Sequence, residues 1–130
     1  MSGQSRYHRA KADELLAQLP PDDADMPVPT IHLSYYAMWH AAFAVLWHVH
    51  GTASQNHGRL HAAFQSLVRA RAGAETAGLE TALERAYEMR RRADYDTDPS
   101  LSDLQQDARE IGPLRDRVLG FCDRILNAAE

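Results

Sequence analysis

Arg90 and Asp94 are the residues most at odds with their surroundings in this chain. The segment before them reads as a helix whose apolar stripe runs Leu79, Leu83, Ala86, Arg90, Ala93, at steps of four, three, four and three. Where the stripe asks for another aliphatic side chain it has a guanidinium. Asp94 follows one turn later on the same side. An arginine on a core-facing stripe is costly unless it is paired or reaches water. Three arrangements meet that demand. Arg90 and Asp94 form an i,i+4 ion pair, or Arg90 caps the carbonyl end of another helix, or Arg90 is a cation held at the mouth of a cleft, oriented by Asp94 to bind phosphate. Arg91 and Arg92 are expected to face solvent, where they would extend a basic patch if the cleft lies beside them.

Seven histidines supply the other titratable chemistry: His8, His32, His40, His48, His50, His57 and His61. His57 and His61 are one helical turn apart, a spacing that can chelate a metal. No acidic residue lies between them, so the zinc-protease helix pattern is absent. Helix capping, core hydrogen bonding and plain surface exposure are the competing roles, and no metal is expected. Tyr35, Tyr36, Trp39, Phe43 and Trp47 form an aromatic run, which suits core packing, the face of a dimer, or a platform for stacking bases. Other signatures fail. "GTASQNHG" lacks the Lys-Ser/Thr ending of a phosphate loop, and no GxSxG elbow occurs. Cys122 is the one cysteine, on an apolar stripe, so a buried inert thiol is expected and no internal disulfide can form.

Elements must bring these groups together. At 130 residues and 45% hydrophobic the chain is enough for one globular domain, 1–130. The formal charge of −4 argues against a generic nucleic-acid coat protein, although 13 of its 14 basic residues are Arg, which suits bidentate phosphate contacts. The polar N-terminal stretch "MSGQSRYHRAKADELL" has no signal-peptide core, and no segment has the ~20 apolar residues of a membrane span. No membrane association is expected, and a soluble cytoplasmic protein is the simplest expectation.

Strand signals are nearly absent, and Ala, Leu, Arg and Glu dominate. A first helix is expected over Ser5–Leu19. "PPDDADMPVPT", 20–30, has four prolines and three aspartates and reads as an exposed loop. The second helix is expected to start with Thr30 as N-cap and to end at Gly51. It is apolar almost all round, so it is expected at the centre of the fold. A third starts near His57 with Leu60, Phe64, Leu67 and Val68 on one face. The fourth carries the Arg90 stripe. Ser100 caps a fifth, through Leu101, Leu104, Ala108, Ile111, Leu114, Val118, Phe121, Cys122 and Ile125. Pro113 should kink or briefly break that helix. The expected fold is all-α, an up-and-down bundle of four to five helices.

"SYYAMWHAAFAVLWHVHG", then "HGRLHAAF", then "LERAYEMRRRADYD" and a long last helix resemble the HEPN-domain family. The branch in question has a YYAMFHAA-like second helix and an R-x-x-A-D-Y signature ending the fourth. The matching residues are Tyr35 to Ala42, His57-Gly58, and Arg90 to Tyr95, within a likeness that spans about residues 5–127. The resemblance implies a helical bundle that dimerises around a cleft, and a toxin or defence protein acting on RNA or a nucleotide. It also implies a nucleotidyltransferase-type antitoxin as a partner. It puts Arg90 in the cleft against phosphate, with Asp94 orienting it. Tyr95 would bond a ligand or be nucleotidylated by the partner, and Tyr36 would join the RNA-binding surface. The Arg-x4-6-His motif of metal-independent HEPN nucleases is absent, since the last histidine is His61. Cleavage would then need His40 or His57 for proton transfer, with no cofactor. A non-catalytic helical module that binds a nucleotidyltransferase is the alternative.

Overall fold

The computed structural model describes residues 1–21, 25–95 and 100–128, except for the side chain of Tyr95. Five α-helices make up the described chain: α1 Gly3–Leu16, α2 Pro27–His50, α3 His57–Ala70, α4 Ala82–Tyr95 and α5 Leu101–Leu126. Two short 3-10 turns, Ala74–Thr76 and Leu79–Thr81, link α3 to α4. No strand occurs among the described residues. The all-α expectation is met.

α2 is the axis of the molecule. It packs against α1, α5 and α4, and more lightly against α3. The cause is its composition. Ile31, Tyr35, Met38, Phe43, Val45 and Leu46 are all buried, and Ala37, Ala41, Ala42 and Ala44 let neighbouring backbones approach. α4 packs against α2 and α5, with Leu83, Ala86 and Met89 in the shared core.

The ends of the helices are capped as short polar side chains dictate, with one exception. Ser2, Asn56 and Ser100 each accept a backbone N–H three residues on, at the starts of α1, α3 and α5. Gly51, at φ 72°, closes α2 in the left-handed conformation that glycine adopts without strain. The exception is the start of α2. Thr30 is not its N-cap. The helix begins at Pro27, and Thr30 lies inside it, fully buried, with its N–H bonded to the carbonyl of Met26. Pro27 and Pro29 do not prevent this, because N–H groups in a first turn have no helical acceptor anyway. The expected loop over 20–30 is therefore shorter at its C-terminal end, and its Asp22, Asp23 and Ala24 lie outside the described residues.

Two further expectations are corrected. α1 runs Gly3–Leu16 and so stops before Leu19, where single-turn bonds from Gln18 and Leu19 replace the helical ones. α5 continues through Pro113 as one helix of 26 residues. Its buried face, Leu104, Ala108, Ile111, Leu114, Val118, Phe121, Cys122 and Ile125, is continuous across the proline, and that packing outweighs one lost backbone bond. Leu101 is the exception, 63% exposed. No described helix is long and apolar enough to cross a membrane.

Candidate functional site

The stripe faces inward as its spacing requires: Leu79 in the second 3-10 turn and Leu83, Ala86 and Arg90 in α4 are all buried. Arg90 is only 5% exposed. Its guanidinium lies 5.6, 5.5 and 5.1 Å from the ring centres of Tyr35, Tyr36 and Tyr87, inside the range of cation–π attraction. Nη1 approaches Oδ2 of Asp94 at 3.4 Å. A buried cation is thus held by three aromatic faces and a carboxylate one turn away. Of the expected neighbours, Arg91 is exposed, and Arg92 is half-exposed but commits two N–H donors to Asp107 of α5 at 3.0 and 2.8 Å.

Asp94 has a second partner, which sequence reasoning missed. Nδ1 of His32, in the second turn of α2, lies 3.0 Å from the same Oδ2. A carboxylate only accepts, so Nδ1 carries the proton and donates it. In the neutral ring that leaves a lone pair on Nε2. The His32 side chain is 47% exposed and Asp94 only 17%, so the exposed imidazole sits on a carboxylate anchored from below by Arg90.

α3 adds a second pair of rings. His57 and His61, one turn apart, both turn to the hydroxyl of the buried Tyr35. Oη lies 2.6 Å from Nδ1 of His57 and 2.8 Å from Nε2 of His61. The spacing that suggested metal chelation instead straddles one phenol, and no group of three or more metal-ligating side chains occurs among the described residues. Tyr87 of α4 stacks on His57 at 5.1 Å and 12°, and on Tyr35 at 5.6 Å and 25°. Burial, and then the charge of Arg90, lowers the pKa of His57 below its usual 6.5. Burial, and then His57, holds His61 down to about 4. Burial chiefly pushes the Tyr35 phenol far up, against the pull of Arg90. At neutral pH the rings and the phenol are all uncharged, and Arg90 is the one cation among them.

Tyr36 joins the two halves. Its ring centre is 4.9 Å from that of His32 and 6.2 Å from that of His57. Two imidazoles therefore neighbour one half-buried phenol ring, which also lies against the guanidinium of Arg90. α2, α3 and α4 each supply part of this cluster.

The structure brings together Arg90, Asp94, His57 and Tyr36 from the residues named in the sequence. His40 lies elsewhere. Its Nδ1 meets Nδ1 of His8 at 2.9 Å, and the two rings stack at 5.1 Å between α1 and α2. The side chain of Tyr95 lies outside the described residues. Cys122 is fully buried, and burial chiefly raises its thiol pKa far above the usual range, so it stays protonated and inert. His32, Tyr35, His61 and Tyr87 are the additions. His32 shares a face of α2 with Tyr36 at i,i+4, and Tyr87 precedes Arg90 by three, so spacing alone carried a faint signal for both.

No family model, curated protein or solved structure matches the chain.

Proposed function

We propose that this protein is a HEPN-like dimer that binds RNA or a nucleotide and cleaves phosphodiester without a metal, in a toxin–antitoxin or defence setting. The observation that carries the reading is that two imidazoles, His32 and His57, both lie beside Tyr36, at 4.9 and 6.2 Å between ring centres. In-line attack of a hydroxyl on a phosphodiester needs one group to take a proton and one to serve the phosphoryl or leaving oxygen. His32, with its Nδ1–H committed to Asp94, has in its neutral form the lone pair for the first task. His57 is the candidate for the second. Tyr36 supplies a face for a base or ribose.

Arg90 enters differently from the expectation of direct phosphate contact. Its guanidinium is beneath the tyrosines, so in this state it is a positioning residue that fixes Asp94, which in turn fixes His32. Its field still favours an anion above Tyr36 and His57. The partly open face formed by His32, Tyr36 and His57 is where a second copy of the chain would complete a cleft.

The test is incubation of the purified protein with mixed RNAs, with His32→Ala, His57→Ala and His40→Ala alongside. Cleavage lost in the first two and kept in the third supports the reading. Cleavage that survives in both His32→Ala and His57→Ala contradicts it.

The burial of Arg90 is the one observation that favours the second reading, a non-catalytic module in which Arg90 and Asp94 are an internal latch and the protein binds a nucleotidyltransferase. There, Arg90→Met keeps partner binding, and neither histidine substitution affects it. Co-expression with candidate nucleotidyltransferases followed by sizing separates the two.

A further inference from the structure

The charges of this chain are unevenly placed. Residues 26–74 contain three arginines, Arg59, Arg69 and Arg71, and no Asp or Glu. All 18 acidic residues lie outside that stretch, which holds α2 and α3. The three arginines are exposed, and their side chains make no ion pair or hydrogen bond among the described residues.

α3 packs only lightly against α2, and two hollows lie between it and the C-terminal end of α2. The first, of about 290 Å³, is lined by Leu46, Ala63 and Arg59 among others. The second, of about 440 Å³, is lined by Val49, Leu67, Ala70 and Arg71 among others. His50 lines both, so they form one groove. Among the described residues no acid lines it, and no Phe, Tyr or Trp. Glu75 shares a further hollow with Arg71 but does not pair with it. The hollow of about 420 Å³ between α4 and α5 is different, because Glu84, Glu88 and Glu110 line it together with Arg85 and Arg92.

That lining selects among occupants. Bases of a nucleic acid stack on aromatic faces, and the groove has none. Proline-rich segments need aromatic grooves too. An extended peptide adds to a sheet edge, and no strand occurs among the described residues. A helix laying an apolar stripe into a groove needs small and aliphatic neighbours, which are present. Arginines without acids then select the charge of that helix. Arg59 and Arg71 are about 18 Å apart along the axis of α3, so carboxylates at both ends of a short helix can reach them.

We propose that the groove between α2 and α3 is a docking site for an acidic amphipathic helix of a partner protein. Aliphatic side chains of that helix enter the two hollows, and its carboxylates pair with Arg59 and Arg71. No residue of the groove belongs to the cluster around Tyr36, so the proposal stands apart from the phosphodiester reading.

The experiment selects binders to the full chain from a displayed library of random peptides of about 14 residues, some four turns of helix. The selected peptides should combine Asp or Glu with aliphatic residues at helical spacing. The double variant Arg59→Glu, Arg71→Glu should bind them at least about tenfold more weakly, and peptides with Lys in place of Glu should regain that loss. Ala70→Trp, which fills the second hollow, should weaken binding without altering charge. Arg85→Glu, at the hollow between α4 and α5, should bind as wild type does. All four positions are exposed, and circular dichroism checks that each variant keeps its helices. Peptides selected without acids, or bound equally by the double variant, overturn the proposal. So does a selection that yields no binder. A uridine-rich single-stranded RNA that loses affinity in the double variant, with no acidic peptide selected, gives the arginines to nucleic acid and overturns it as well.

Discussion

Trp39 stands between two groups of histidines, its ring centre 4.9 Å from His40 and 6.2 Å from His57. On the α1 side, His40 meets only another histidine. Nδ1 of His8 and Nδ1 of His40 share one proton at 2.9 Å, and burial chiefly lowers the pKa of both. The two rings meet through their Nδ1 atoms, and Phe43 and Trp39 pack against His8. On the α3 and α4 side no imidazole bonds another. His57 and His61 bond a phenol, and His32 bonds a carboxylate. Their orienting partners are thus of different chemistry, a carboxylate for His32 and a phenol for His57. The comparison teaches that burial and a lowered pKa do not mark a site by themselves, since His40 and His61 are both held to about 4. What separates the regions is the chemistry of the orienting partner: another imidazole on one side, a carboxylate and a phenol on the other.

The largest expected difference between the two regions is in turnover. His32→Ala or His57→Ala should lower the rate of RNA cleavage by about 10²–10⁴, the usual range for an acid–base group. His40→Ala should stay within about threefold of wild type, for want of any contact with the phosphate site. Equal losses in all three, measured as single-turnover rates, would erase the distinction.

Stability gives the next effect. Arg90→Ala removes the cation from a buried ion pair and from three aromatic faces. It should cost about 2–4 kcal/mol in urea unfolding, at or below the usual cost of breaking such a pair because Asp94 keeps some solvent. Arg90→Met, which keeps the volume, should recover most of it. A loss under about 0.5 kcal/mol for the alanine variant would show the guanidinium to be solvated instead of buried.

A smaller change is expected from Asp94→Asn. An amide can accept from His32 but no longer balances the charge of Arg90, and it can equally turn its NH2 towards the ring. The cleavage rate should fall about tenfold, with an altered pH profile, whereas Asp13→Asn on the α1 side should change neither.

A last effect tests both regions together. His40 and His61 have folded pKa values of about 4 against 6.5 for the unfolded chain. Below pH 6.5 the unfolded state binds protons that the folded state refuses. Their contribution is complete above pH 6.5, declines as pH falls, and is lost by about pH 4. The melting temperature should drop across that window. His40→Gln and His61→Gln should each flatten the drop by a similar margin. A flat melting temperature from pH 6.5 to 4 in wild type contradicts the burial of both rings.

Much of the fold was legible because helical periodicity is a local signal. The inward stripe of α4, the centrality of α2, and the caps at Ser100 and Gly51 all follow from neighbours within one or two turns. Thr30 misled because a cap residue followed by apolar residues looks the same whether or not two prolines already sit in the first turn. The break expected at Pro113 was outweighed by a buried face that runs past it. The site was legible only in part. Arg90 and Asp94 betrayed themselves by breaking a pattern. His32 did not, because its partner is 62 residues away and no periodicity links them. Tyr35 was hidden for another reason. A tyrosine on an apolar helix fits core packing by its ring, and the use of its hydroxyl depends on α3 lying opposite.

The most direct test of the central claim follows the seven histidine side chains by 1H–15N correlation while a short RNA, 2′-deoxy at the attacked sugar, is titrated in. Saturable shifts at His32 and His57, with His8 and His40 unmoved, are the predicted result. Shifts at His8 and His40 instead, or no shift at any ring, would contradict a ligand site around Tyr36.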